Sequence, residues 1–136
     1  MISLIEHKSA VDYDVAMQLF RYMSVIWYDY RMEQNKKKKD ANRRKAFRYP
    51  LIIPFVYYEG KEKWTAGLHL KDRIEFAEEM SEYIPDFQYH VVSVQQYTNE
   101  DLSKKGDEMA LVMLINKIQN PEDWKRFTEE AREFVD

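Results

Sequence analysis

The sequence predicts an α/β fold, and three observations carry that expectation. Short apolar, β-branched runs alternate with longer stretches of 3.6-residue periodicity, the pattern of strands separated by helices. The chain has 136 residues, one domain's worth. Hydrophobic residues make up 45% and aromatics 15%, enough to fill one interior. The expected order is strand, helix, strand, helix, strand, helix, helix, a small layered structure with right-handed crossovers. Three strands make a thin sheet, since sheets usually have about four to six. A missing N-terminal piece, or one supplied by another chain, is expected before the first strand.

That strand opens the chain with Ile2, Leu4 and Ile5. Pleating places Glu6 and Lys8 on one face and Ile5 and His7 on the other. Asp12 or Asp14 can cap a helix, and Val15, Leu19, Tyr22, Met23, Ile26 and Tyr30 recur at helical spacing, predicting a helix over 13–32. After a basic loop, residues 50–58 read as a strand buried on both faces. Pro54 lacks a ladder donor, which predicts a bulge or an edge position. Glu59-Gly60 turns the chain, residues 64–70 form a loop, and residues 71–83 suit a helix stopped by Pro85. Residues 87–94 alternate as a third strand. Two helices, 107–119 and 122–135, follow, divided by Asn120-Pro121. The first is apolar almost all round, from Met109 to Ile118, which predicts burial on several sides and a homodimer interface.

Composition removes several classes of chemistry. The chain has no cysteine, so disulfides, thiolate zinc sites, iron–sulfur clusters and cysteine nucleophiles are excluded. Its three glycines, Gly60, Gly67 and Gly106, are too scattered for a phosphate-cradling loop. His7, His69 and His90 show no paired ligand spacing. The longest apolar run, 51–58, falls far short of the about 20 residues of a membrane span. The N-terminus lacks the order of a secretory signal. A cytoplasmic protein without membrane contact is expected.

Charge is unevenly placed. Lys36, Lys37, Lys38, Lys39, Arg43, Arg44, Lys45 and Arg48 stand against Asp40 alone, a local net of +7. The total is −3, so the remainder carries −10. A solvated, self-repelling loop fits this block. So does a phosphate-backbone contact, in which each neutralised phosphate releases a counterion. Phe47 and Tyr49 at its end suit base stacking or the start of the next strand.

The residues Leu4-Ile5-Glu6-His7-Lys8-Ser9 put a carboxylate and an ammonium on one side of a strand end. Glu6 is a candidate ligand for Mg²⁺, which takes one or two carboxylates together with waters and substrate phosphates at about 2.0 to 2.1 Å. Lys8 would then orient or deprotonate a water attacking phosphorus. A solvated ion pair at a strand end fits the same triplet.

These residues, the helix containing Leu19-Phe20-Arg21-Tyr22-Met23 and the run from Pro50 to Gly60 together resemble the Rpn family of recombination-promoting nucleases, transposases of the PD-(D/E)XK nuclease superfamily. The resemblance extends to Trp64 and, more loosely, through Tyr89-His90-Val91-Val92 and beyond. It implies a single metal-dependent DNA endonuclease domain, with a short mixed sheet flanked by helices and a C-terminal helical pair. Glu6 would be the second acid, the carbonyl of His7 a further metal ligand, and Lys8 the third motif position, around Mg²⁺. Gln18, Arg21 and Tyr22 would line the site, Gln18 standing where relatives usually have arginine and Ser93 where aspartate is expected. The basic residues from Lys36 to Arg48 would contact DNA. The family's N-terminal helix and acidic strand hairpin have no counterpart here, so Asp12, Asp14 or Glu59 would have to supply the other carboxylate. A catalytically inactive DNA-binding or oligomerising remnant of the same fold is the alternative.

Overall fold

The computed structural model of the chain describes residues 1–93, 115 and 118–130. Three strands, β1 (Ile2–Lys8), β2 (Ile52–Tyr58) and β3 (His90–Ser93), form one sheet in the order β1-β2-β3. Both pairings are parallel, so among the described residues the sheet is parallel rather than mixed. β2 lies at its centre, and every residue from Pro54 to Tyr58 is buried, as a strand covered on both faces should be.

Pro54 sits inside that central strand without a bulge, contrary to expectation. The β1–β2 register runs unbroken from Ile2↔Ile52 to Lys8↔Tyr58. Hydrogen bonds from Ile2 N–H to Leu51 O (2.8 Å) and from Glu59 N–H to Lys8 O (2.9 Å) show that odd-numbered residues of β2 bond toward β1. Pro54, being even, turns its protonless nitrogen toward β3. The ladder to β3 begins only at Phe55↔His90, so no donor is missed.

The two faces of the sheet carry separate cores. Even-numbered residues of β2, Val56 and Tyr58, join Val15, Ala16 and Leu19 of the long helix α1 (Val15–Lys37), together with Trp64, Leu70, Tyr89 and Val91. Odd-numbered Phe55 and Tyr57 join Val92, Ile115, Ile118 and Phe127 beside α2 (Pro121–Glu130). The expected period-2 and 3.6-residue patterns thus close a layered α/β structure. The second expected C-terminal helix forms as α2, whereas most of the first, and with it the apolar stretch that suggests a homodimer, lies outside the described residues.

α1 runs on to Lys37 rather than ending near Met32. Glu33, Gln34 and the lysines are good helix formers, and Lys36 and Lys37 in the last turn meet the negative end of the helix dipole. The basic segment beyond it is not an extended loop. Ala41–Arg43 forms a 3-10 turn, Asp40 takes a left-handed conformation (φ 55°), and Asn35 and Asn42 are joined by two hydrogen bonds of 2.9 and 3.1 Å. Helix termination and amide pairing turn the backbone back against the end of α1, with the basic side chains exposed.

The expected helix over 71–83 does not form. In its place are 3-10 turns at Leu70–Arg73 and Ser81–Tyr83, with Phe76 at φ 58° between them. Phe76, Met80 and Tyr83 lie at helical spacing, yet they are exposed. A helix gains most of its stability by burying such a stripe, and here no core residues meet it. The preceding loop is better anchored. Trp64 Nε1 donates to Tyr89 Oη (3.1 Å), which donates to Gly67 O (2.7 Å).

Candidate active site

The site is built by strand alternation. Glu6 and Lys8 stand opposite Val56 and Tyr58, whose side chains join the core beneath α1, so both point to the α1 face at the carboxyl end of β1. Ligands of open α/β sheets collect outside the carboxyl ends of the strands. Lys8 Nζ lies 3.9 Å from Glu6 Oε1 and 2.8 Å from Asp12 Oδ2. Two carboxylates therefore bracket one ammonium. All three side chains are partly accessible, between 18% and 31%.

Asp14, not Asp12, is the N-cap of α1, without a side-chain cap bond, and Asp12 lies just ahead of the helix. The Asp12 Oδ1 accepts from the Asp14 N–H (2.9 Å), an Asx turn leading the chain into α1, and its Oδ2 faces Lys8. The hydrogen bond from Lys8 is the chief cause that holds the Asp12 carboxyl below its ordinary value of 3.8, outweighing partial burial, which pushes it up. Stability from this lowering is present above pH 3.8 and is lost as pH falls through the lower folded-state value. In urea titrations at a series of pH values, the advantage of wild type over Asp12→Asn is expected to be full at neutral pH and to shrink below about pH 4. An advantage that grew on acidification would contradict the pairing.

Asp14 does not join Lys8. It turns to Arg73, whose Nη2 lies 3.5 Å from Asp14 Oδ1. Sequence reading did not single out Arg73, and only the folded loop brings it to the start of α1. Glu59 meets β1 through its backbone, its N–H donating to Lys8 O. His7 lies on the opposite face, exposed, its ring 5.0 Å from that of Tyr57. Its carbonyl is directed differently from its ring. Even-numbered residues of β1 bond to β2, so the His7 carbonyl points in the sheet plane to the outer side of β1, which pairs with no strand among the described residues.

Gln18, Arg21 and Tyr22 share one side of α1 by i, i+3 and i+4 spacing. No hydrogen bond or ion pair among the described residues joins them to Glu6, Lys8 or Asp12. Arg21 and Tyr22 are exposed, while the Gln18 Oε1 is buried without a hydrogen-bond partner. Ser93 completes a row with Lys8 and Tyr58 across the three strands and is 6% exposed. Between them, burial pushes the Tyr58 phenol up, and its hydroxyl donates to Glu62 O at 2.6 Å.

The family described as "Putative transposase, YhgA-like" matches residues 1–136. The chain belongs to this transposase family. The match spans β1, which carries Glu6 and Lys8, and the connection to α1, which carries Asp12. No curated protein and no solved structure matches the chain. Among the described residues, this member of the family has no helix long and apolar enough to cross a membrane.

Proposed function

We propose that this transposase-family protein is a Mg²⁺-dependent DNA endonuclease whose centre is Glu6, Lys8 and Asp12. The observation that carries the reading is the convergence of two carboxylates on the Lys8 ammonium at the carboxyl end of β1. Glu6 and Asp12 would hold the ion, with the His7 carbonyl as a further oxygen donor. No cluster of three or more acidic or histidine ligands exists among the described residues. Two carboxylates nonetheless suit Mg²⁺, which keeps several waters and shares its shell with substrate phosphates. When bound, the ion neutralises charge on the phosphate and makes a water more acidic.

The chain's own groups supply the rest. Lys8 donates to the attacking water, holding it in line with the bond to be broken, or to a non-bridging phosphate oxygen, where it offsets the charge on the phosphate. Asp12 positions Lys8 and is itself positioned by its Asx turn. Arg73, close to the same helix start, adds a second cation for the phosphate backbone. Hydrolysis joins the water oxygen to phosphorus, with one water proton passing to solvent, and breaks the bond from phosphorus to the strand's sugar oxygen, which takes up a proton from solvent to leave as a free hydroxyl.

Nicking of supercoiled plasmid in Mg²⁺ tests this reading. Glu6→Gln and Lys8→Ala are expected to lose on the order of 10²-fold or more in rate. Equal rates in wild type and both variants would sink it. A second reading, DNA binding without cleavage, draws on the compact, anchored +7 segment. It predicts salt-dependent retention of DNA with no Mg²⁺-dependent product. In either case, replacing Lys36, Lys37, Lys38 and Lys39 by alanine should weaken retention. It should also flatten the plot of log affinity against log salt, by about 0.9 for each phosphate that is no longer neutralised. An unchanged slope would remove these lysines from the interface.

A further inference from the structure

Away from the carboxylates, α1 carries a feature that phosphodiester hydrolysis does not use. Phe20, Ser24, Trp27, Tyr28 and Arg31 recur at i, i+4, i+7, i+8 and i+11, so they form one continuous helix face. With Tyr49 they line an open groove of about 410 Å³. The groove wall is fixed in place. Trp27 Nε1 donates to Pro50 O (2.8 Å), and the Tyr49 ring meets those of Phe47, Tyr30 and Trp27 at 5.1, 6.3 and 6.5 Å. Tyr28 and Tyr49 are nevertheless 53% and 44% exposed. Trp27 and Tyr49 are anchored by these contacts, and the open ring area of Tyr28 and Tyr49 is available to stack on a ligand.

The charge nearby identifies the ligand. Arg31 lies 5.0 Å over the Tyr28 ring, and Arg48 stands between Phe47 and Tyr49 in the +7 segment. The acids of this half of the helix, Asp29 and Glu33, fall outside the groove face by spacing. Stacking surfaces beside a row of cations suit a chain of bases joined by phosphates. A base within a duplex hides both faces against its neighbours, whereas an unstacked base offers one.

We propose that the groove lined by Trp27, Tyr28, Arg31 and Tyr49 holds unstacked bases of a single-stranded DNA segment, while the basic segment tracks its phosphates. The inference rests on the DNA-directed reading above and adds the form of DNA that is engaged. From Val15 to Tyr28, α1 advances about 20 Å, so a strand lying in the groove can lead back toward Asp12 and Lys8. The site would then meet a duplex beside a gap, an end or an unpaired stretch.

Fluorescence anisotropy of the full chain tests this with three labelled probes of equal length: a thymidine single strand, its abasic counterpart and a duplex. The abasic strand keeps the charge and removes the rings. The intact strand is expected to bind about 5- to 150-fold more tightly than the abasic one, the equivalent of about one stacked base. The double change Tyr28→Leu and Tyr49→Leu retains apolar bulk. It is expected to erase that preference while leaving retention of the duplex, which presents no free base face to the groove, unchanged. Equal binding of intact and abasic strands would overturn the inference, as would leucine variants that keep the preference. If nicking and duplex retention persist in that case, the endonuclease reading stands alone. If no probe is retained at any salt, both fall.

Discussion

Replacing Asp12 by asparagine is expected to lower Mg²⁺-dependent nicking by on the order of 10²-fold, the cost of deleting one preorganised electrostatic partner from a reacting centre. Asparagine keeps the shape and can still accept the Asp14 N–H, so the turn into α1 should survive. What it loses is the charge. Lys8 would then be left with Glu6 alone, at 3.9 Å instead of the 2.8 Å it has to Asp12. Two roles for Asp12 can be separated. If it is a metal ligand, raising the Mg²⁺ concentration should recover part of the lost rate and the variant's half-saturating concentration should rise. If it only positions Lys8, the maximal rate should fall without that shift. A variant as active as wild type at every Mg²⁺ concentration would remove Asp12 from the site.

Asp12 also illustrates what could be read before folding was known. Glu6 and Lys8 were legible as a pair because a strand's period of two admits a single arrangement, and that arrangement holds. For a second carboxylate the sequence offers Asp12, Asp14 and Glu59 alike, and of these Asp12 lies against Lys8. All three fall in turns, where no period dictates direction, and the Asx turn at Asp12 decides the outcome. Arg73 left no signal at all, because its position depends on a loop folding back across the start of α1. Pro54 misled for a related reason. A missing donor matters only where a neighbour requires one, and on the side that Pro54 faces the ladder to β3 begins only at Phe55. In 71–83 the helical stripe was present, but Phe76, Met80 and Tyr83 find no apolar surface to cover. Periodicity describes a face and does not supply what the face must bury. The groove on α1 was visible only as scattered aromatics, since the anchoring of Tyr49 by Trp27 and Pro50 joins residues 22 or more positions apart.

Phe55→Ala is expected to cost about 3 to 5 kcal/mol, the largest stability loss among these changes, because it empties the centre of the core on the side away from Glu6. Phe55 is fully buried, and its ring meets those of His90, Trp124 and Phe127 at 5.9, 5.8 and 5.7 Å. One side chain thus ties β2 to β3 and to α2. A domain holds only about 5 to 15 kcal/mol in all, so this variant could unfold outright. Phe55→Leu keeps most of the volume and should lose about 1 kcal/mol, chiefly the ring contacts. Phe76→Ser, at a site 71% exposed, should stay within about 0.5 kcal/mol of wild type. Urea midpoints at constant slope would rank the three. If Phe55→Ala cost no more than the Phe76 change, β2 would not be packed against α2. The same alternation that buries Phe55 turns Glu6 and Lys8 to the other face, so Phe55→Leu should lose stability while each folded molecule nicks DNA at the wild-type rate.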